Sequence, residues 1–274
     1  MSDRYQRLFN KLAEESGEGR GAFVPFTVLG DPTPDRSLEI VRTLALAGAD
    51  ALELGIAFSD PVADGPTIQA ADRRALQAGT KTADAWQIIR KIRDEFADLP
   101  IGLLVYANLV EAPGRQAFYQ AAAAAGVDSV LIADAPTLEA KPFAQIAVEN
   151  GVLPIMLAPP SASDEHLREI AELSQGYTYV VTRTGVTGAD DKASTDHHQL
   201  LERLKAFGAP PALLGFGISQ PGHIKDAIAS GAAGAISGSA VVQRIANHLA
   251  DPDDKAMHSA LREFVSKMAE ATRR

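Results

Sequence analysis

The chain has 274 residues, 46% hydrophobic and 22% charged, with a net charge of −9 and no cysteine. Without cysteine there are no disulfides, thiolate nucleophiles, zinc–thiolate centres or iron–sulfur clusters, and the acidic balance argues against nucleic acid or an anionic membrane as a partner. No apolar run approaches the ~20 residues needed to span a bilayer, no signal core follows the N-terminal Met1 to Arg7 segment, and the lack of disulfides suits a cytoplasmic setting.

In chain order, residues 1–15 read as an extra helix placed to cover the bottom of whatever follows. Short apolar runs then recur at 23–29, 51–54, 101–106, 129–133, 153–157, 177–182, 212–216 and 233–237. Each is bounded by Gly, Pro or Asp and lacks polar alternation, as expected of parallel strands buried on both faces. Helical patterns lie between them. After the first run, Thr33-Pro34 supplies an N-cap and a first-turn proline. Leu38, Val41, Leu44 and Ala45 then share one face, and Gly48 closes the helix. The turns Ala47-Gly48-Ala49-Asp50, Ala125-Gly126-Val127-Asp128 and Ser230-Gly231-Ala232-Ala233 echo one another before three of the runs.

Eight strands alternating with helices predict one α/β domain over 1–274, a single (β/α)8 barrel with an extra N-terminal helix and additional helical segments; a doubly wound sheet is the alternative. The longest interval, between the second and third runs, has room for a loop and two helices, near 67–77 and 82–96. Residues 185–196, polar and carrying two glycines, read as a lid over the barrel mouth.

The stretch from Leu52 to Thr67 carries the chemistry. Glu53 interrupts an apolar strand. If Leu52 and Leu54 face the helices, Glu53 faces the barrel axis at the strand's C-terminal end. Burial there raises a carboxyl pKa, and such a group can give and take a proton near neutral pH. Asp60 and Asp64 follow on the loop. Ser59-Asp60-Pro61 and Asp64-Gly65 are also ordinary turn sequences, so catalytic and turn-forming roles both stay open, as they do for Asp134 at the end of the fourth run. Gly185-Val186-Thr187-Gly188, Gly215-Phe216-Gly217 and Ser237-Gly238-Ser239 end the last three strands. Together they point to a phosphorylated substrate held on backbone N–H groups. Tyr106 and Tyr179 lie near strand ends, where each either lines a pocket for a flat aromatic ligand or fills the barrel. No lysine lies in any run, against a Schiff-base aldolase. The six histidines show no metal-ligand spacing and read as surface residues, while Trp86 and Phe96 read as core.

Over essentially its whole length the chain resembles the α subunit of tryptophan synthase. The matching segments are Phe23-Val24-Pro25-Phe26 with Gly30-Asp31-Pro32, Ala51-Leu52-Glu53-Leu54-Gly55, Phe58-Ser59-Asp60-Pro61 and Ala63-Asp64-Gly65-Pro66-Thr67-Ile68-Gln69. Tyr106-Ala107-Asn108, Arg183 with the Gly185 cluster, Gly215-Phe216-Gly217-Ile218-Ser219 and Gly234-Ala235-Ile236-Ser237-Gly238-Ser239 match as well. The resemblance implies a barrel that cleaves indole-3-glycerol phosphate to indole and glyceraldehyde 3-phosphate. It implies Glu53 as acid–base catalyst, Asp64 as acceptor of the indole N–H, and Tyr179 beside the glutamate. Gly188, Gly217, Gly238 and Ser239 would hold the phosphate, Phe26, Ile68 and Tyr106 the indole, and Arg183 and Thr187 would belong to the lid. It further implies an α2β2 assembly with a pyridoxal-phosphate β subunit docking near Asp60, Pro61 and Asn108, and no cofactor or metal in this chain. Two other readings stand beside this one: a non-catalytic barrel that only activates a β subunit, and another phosphate-binding barrel enzyme of the indole pathway. Three positions depart from the family pattern. Ala57 stands where proline is usual, Thr27-Val28 reverses the usual order and turns a first-strand hydroxyl to the other side, and Glu111 places a charge near the docking region.

Overall fold

The computed structural model describes residues 3–15, 19–181, 193–250 and 253–273. Helix α1 (Arg4–Glu14) precedes β1 (Ala22–Leu29), α2 (Pro34–Leu46) and β2 (Leu52–Ile56). Then come α3 (Pro66–Gln77), α4 (Thr82–Glu95), β3 (Ile101–Val105), α5 (Ala107–Glu111), α6 (Arg115–Ala125) and β4 (Ser129–Ile132). The chain continues through α7 (Thr137–Glu149), β5 (Leu153–Ile155), β6 (Leu157–Ala158), α8 (Asp164–Leu173), β7 (Thr178–Val181) and α9 (Ala193–Ala206). It ends with β8 (Ala212–Gly215), α10 (Pro221–Ala229), β9 (Gly234–Ser237), α11 (Ser239–Asn247) and α12 (Lys255–Glu270).

Every apolar run of the sequence became a strand. The fifth became two, because Met156 interrupts it between β5 and β6. All pairings between these strands are parallel, in the order β5-β4-β3-β2-β1-β9-β8-β7-β6. The outermost strands of that order are consecutive in the chain, and the Tyr179 N–H donates to the Met156 carbonyl at 3.0 Å. The sheet therefore curls into a (β/α)8 barrel with an interrupted fifth strand, and the doubly wound alternative falls away.

Alternation along the strands divides the core into two layers. Leu52, Leu54, Leu103 and Val130 pack outward against the helices, while Val24, Phe26, Val28, Leu131, Tyr177 and Tyr179 fill the interior. Helix α1 does close the bottom: Tyr5 is 2% exposed, its hydroxyl lies 3.0 Å from that of Ser129, and its ring is 5.3 Å from that of Tyr177. Thr33 caps α2 and Pro34 opens it, as the sequence suggested. Helix α12 was not anticipated. Its Met257, Leu261, Phe264, Val265 and Met268 form a buried stripe against α2 and α11.

The echoed turns have a physical basis. Gly48, Gly126 and Gly231 all have φ near +100° (105°, 89° and 100°), the left-handed geometry that ends a helix just before a strand. The aspartates that follow two of them act alike. Asp50 accepts from the Phe23 amide and pairs with Arg20; Asp128 accepts from the Ile101 amide and pairs with Arg93, both amides at 2.8 Å. Each aspartate thus ties its own strand to the start of the preceding one. Asp128 is fully buried and also meets Arg4 at 2.8 Å, so Asp128→Ala, which takes the carboxylate from the part-buried Arg93 guanidinium and the bond from the Ile101 amide, should cost about 3 kcal/mol in denaturant unfolding.

The reversed Thr27-Val28 order has a visible consequence. Thr27 pairs in register with outward-facing Leu54, so its hydroxyl enters the helix layer, fully buried and without a hydrogen-bond partner. Val28 takes the interior position instead. A buried unsatisfied hydroxyl costs about 1–3 kcal/mol, and Thr27→Val should recover about 1 kcal/mol or more, read as a higher denaturation midpoint.

Candidate active site

The C-terminal end of β2 positions the central group. Glu53 lies in register between Phe26 of β1 and Gly102 of β3 and points into the barrel, only 1% exposed. The Tyr177 hydroxyl donates to its Oε1 at 2.9 Å. Burial pushes the carboxyl up to about 8; the Tyr177 bond opposes this and the charge of Asp64 adds to it. At neutral pH Glu53 therefore carries its proton, ready to act as an acid.

Asp64, half-buried on the loop before α3, is the second carboxyl. It accepts from the Tyr106 hydroxyl at 2.7 Å, and Tyr106 in turn accepts from the Ala63 amide at 3.1 Å. Burial raises its pKa and the Tyr106 bond lowers it. Gln69 donates to the Asp64 carbonyl at 2.8 Å, holding the loop to the first turn of α3. The Phe58 ring stacks on Tyr106 at 5.2 Å and 23°.

The apolar walls meet these groups. Phe26 and Ile68 are each 6% exposed and Tyr106 3%, and the Phe26 ring reaches both the Gly55 and the Gly238 backbone. Tyr179 is buried, with its pKa raised by burial first and then by the charges of Glu53 and Asp64. Its hydroxyl lies where a Cβ on Gly215 would sit, 2.0 Å away, so only glycine fits there. Phe216 follows at φ 67°, a strained value for a non-glycine residue, with its ring against Tyr179 at 6.1 Å. The Ser237 hydroxyl donates to the Ile218 carbonyl at 2.6 Å, joining the loop after β8 to the end of β9. This brings the Gly217 loop towards Gly238 and Ser239, where α11 begins. Asp60 and Asn108 are exposed and Pro61 partly so. Glu111, the last residue of α5, pairs with Arg115, the first of α6, at 2.5 Å.

Arg183, Thr187 and Gly188 fall in 182–192, outside the described residues. The tyrosine hydrogen-bonded to Glu53 is Tyr177, which the sequence reading did not single out; Tyr179, expected beside the glutamate, lies close enough that burial first and then the Glu53 charge raise its pKa. Two residues apart on one strand run, both face the interior, and Tyr177 sits one level deeper. Asp134 turns out to cap, accepting from the Ala107 amide at 2.7 Å. His197 is 9% exposed rather than on the surface, and its neighbour His198 is exposed. Among the described residues no group of three or more side chains is arranged to hold a metal ion, and no helix is long and apolar enough to cross a membrane. A cavity of about 490 Å³ lies elsewhere, under α7 and α8 against Val130, Ile155 and Met156. It includes neither Glu53 nor Asp64, so the buried carboxyls, not the volume, mark the site.

Comparison with known proteins points to one family. Residues 12–273 match the family model described as tryptophan synthase alpha chain. The chain is 55% identical over 272 residues to the tryptophan synthase alpha chain of Aliivibrio fischeri, covering 99% of this chain and 100% of that one. It is 56% identical over 271 residues to that of Vibrio cholerae serotype O1, covering 99% of each. Among solved structures, tryptophan synthase subunit alpha from Legionella pneumophila superposes with a TM-score of 0.87 at 28% identity, covering 99% of both chains. A chain of the tryptophan synthase α2β2 complex from Pyrococcus furiosus gives 0.80 at 33% identity, covering 92% of this chain and 98% of that one.

Proposed function

The chain belongs to the tryptophan synthase alpha chain family, and on that premise we propose that Glu53 and Asp64 perform the family's reaction here. That reaction is the cleavage of indole-3-glycerol phosphate to indole and glyceraldehyde 3-phosphate in tryptophan biosynthesis. The α chain needs no cofactor; pyridoxal phosphate resides in the β subunit, the partner in an α2β2 assembly.

The difficulty of the reaction is that an indole carbanion is a poor leaving group. Glu53 gives its proton to indole C3, which makes an indoleninium and leaves Glu53 as carboxylate. Asp64 accepts the ring N–H and offsets the positive charge that develops on nitrogen. Glu53 then takes the proton of the glycerol hydroxyl. The new carbonyl forms, the C–C bond breaks, its electron pair restores the aromatic ring, and Glu53 is again protonated. One carboxyl can serve both steps because its pKa, about 8, stays close to neutrality. The single observation that carries this reading is that carboxyl, sealed in the barrel within electrostatic reach of a second one.

Phe26, Ile68 and Tyr106 form the indole wall in this reading, and Tyr177 and Tyr179 back the glutamate. Gly217, Gly238, Ser239 and the α11 N-terminus receive the phosphate together with Gly188, while Arg183 and Thr187 belong to the lid. Asp60, Pro61 and Asn108 face the β subunit. The chain works as one barrel domain in the cytoplasm.

The test is to incubate the isolated chain with indole-3-glycerol phosphate, with and without a β subunit, and to identify both products. Indole together with glyceraldehyde 3-phosphate supports the reading; neither product in either case leaves only a binding role. The phosphate site has its own test. A side chain at Gly238 would come within 3.2 Å of the Phe26 ring, and in this reading it would obstruct the approach of the phosphate to the backbone. Gly238→Val should weaken substrate binding by about tenfold or more, the loss of one charge-assisted hydrogen bond, seen in KM or by titration calorimetry.

A further inference from the structure

Asp72 is a buried acid that the mechanism above does not use. It sits on α3, one turn after Ile68, and is 4% exposed. Its Oδ1 accepts from the Phe58 amide at 3.2 Å, while its Oδ2 is buried with no hydrogen-bond partner. Burial pushes its pKa up to about 7, with the charges of Asp64 and Asp31 adding and that of Arg73 opposing. Asp31 is itself held by Arg74 of α3 through two bonds of 2.8 Å. A lone carboxyl oxygen in a dry site is costly, so its retention calls for a use.

Phe58 is where the chain leaves β2 for the loop bearing Asp64. Its amide is fixed by Asp72, its ring stacks on Tyr106, and the Tyr106 hydroxyl donates to Asp64. We propose that Asp72 is a positioning residue for the cleavage reaction, clamping the Phe58 amide so that the Phe58–Tyr106 stack aims the Asp64 carboxylate at the indole nitrogen. The inference rests on the function proposed above. Oδ1 accepts from Phe58 whether the acid is neutral or ionised, so the clamp works in both states. Asparagine preserves that oxygen and removes the ionisable group; leucine removes the acceptor.

The experiment compares Asp72→Leu, Asp72→Asn and Tyr106→Phe in the full chain, measuring kcat and KM for indole-3-glycerol phosphate and thermal unfolding of each protein, with Asp72→Ala as a smaller second truncation. Asp72→Leu should lower kcat by about tenfold or more with KM within about threefold, because misplacing a catalytic group costs rate more than ground-state binding. Asp72→Asn should restore kcat to within about threefold. In the Tyr106→Phe background, where the hydroxyl that carries the effect is gone, Asp72→Leu should cost less than about twofold further. A merely structural role would lower the unfolding midpoint and leave kcat of the folded Asp72→Leu protein unchanged, which overturns the proposal; a loss of kcat that recurs in full in the Tyr106→Phe background would show that the effect does not run through the Tyr106 hydroxyl, and overturns it as well. A wild-type chain that yields no indole sinks the functional reading and this inference together, whereas an active wild type matched by Asp72→Leu sinks the inference alone.

Discussion

Glu53→Gln is expected to lower indole release by about 10²–10⁴-fold and, at the same time, to make the protein more stable above neutral pH. Both effects come from one carboxyl. Glutamine fills the same space and still accepts from the Tyr177 hydroxyl, whose bond to Glu53 is 2.9 Å, but it has no proton for indole C3 and cannot take the hydroxyl proton afterwards. The stability effect follows from linkage. Burial raises Glu53 from 4.5 to about 8, so between those values the folded protein keeps a proton that the unfolded chain has released. Stability from the neutral group is complete below about 4.5 and is lost as pH rises through about 8. Glutamine has no such loss, so the variant's advantage should be absent near pH 4 and grow to a plateau above pH 8, on the order of a few kcal/mol. Asp72, raised to about 7, and Asp64, also raised, slope in the same direction in the wild type. Denaturant unfolding across pH reads the difference; an advantage that shrinks with rising pH would contradict the burial argument.

Asp64→Ala is expected to lower kcat by about 10²–10³-fold with a smaller change in substrate affinity, the size found for removing one preorganised group opposite developing charge. In the proposed mechanism Asp64 meets the substrate at the indole nitrogen, where positive charge exists only after C3 is protonated, so its contribution falls on the transition state rather than on binding. Tyr106→Phe should cost less. It removes the 2.7 Å bond that aims Asp64 but leaves the carboxylate in place. Steady-state kinetics on the two variants give the order; a Tyr106→Phe defect larger than that of Asp64→Ala would assign the role to the tyrosine.

Much of this was legible in the sequence because burial on both faces leaves a simple signature. Apolar runs without alternation located every strand, and the position of Glu53 between Leu52 and Leu54 gave its direction into the barrel. The break at Met156 was not legible, since it depends on how the two sheet edges meet as the barrel closes. Tyr177 was within reach: it shares a face with Tyr179 by simple alternation, but only the three-dimensional depth of Glu53 chooses between them. Asp72 was hidden among the polar residues of an amphipathic helix. Its spacing of four from Ile68 was the available signal, yet nothing in the sequence shows that the β2 loop folds back onto that face. Helix α12 had a clear i, i+4, i+7 stripe at Met257, Leu261 and Phe264. Residues 182–192 carry three of the residues that the family resemblance singles out and lie outside the described residues.

The proposed mechanism requires Glu53 to hold its proton at neutral pH, and difference infrared spectroscopy of the carboxyl stretch, wild type minus Glu53→Gln, measures that directly. A protonated carboxyl band should persist at neutral pH and disappear with a midpoint near 8. A band already lost in the ordinary carboxylate range, near pH 4–5, would show Glu53 ionised at rest and contradict its role as the acid that starts the cleavage.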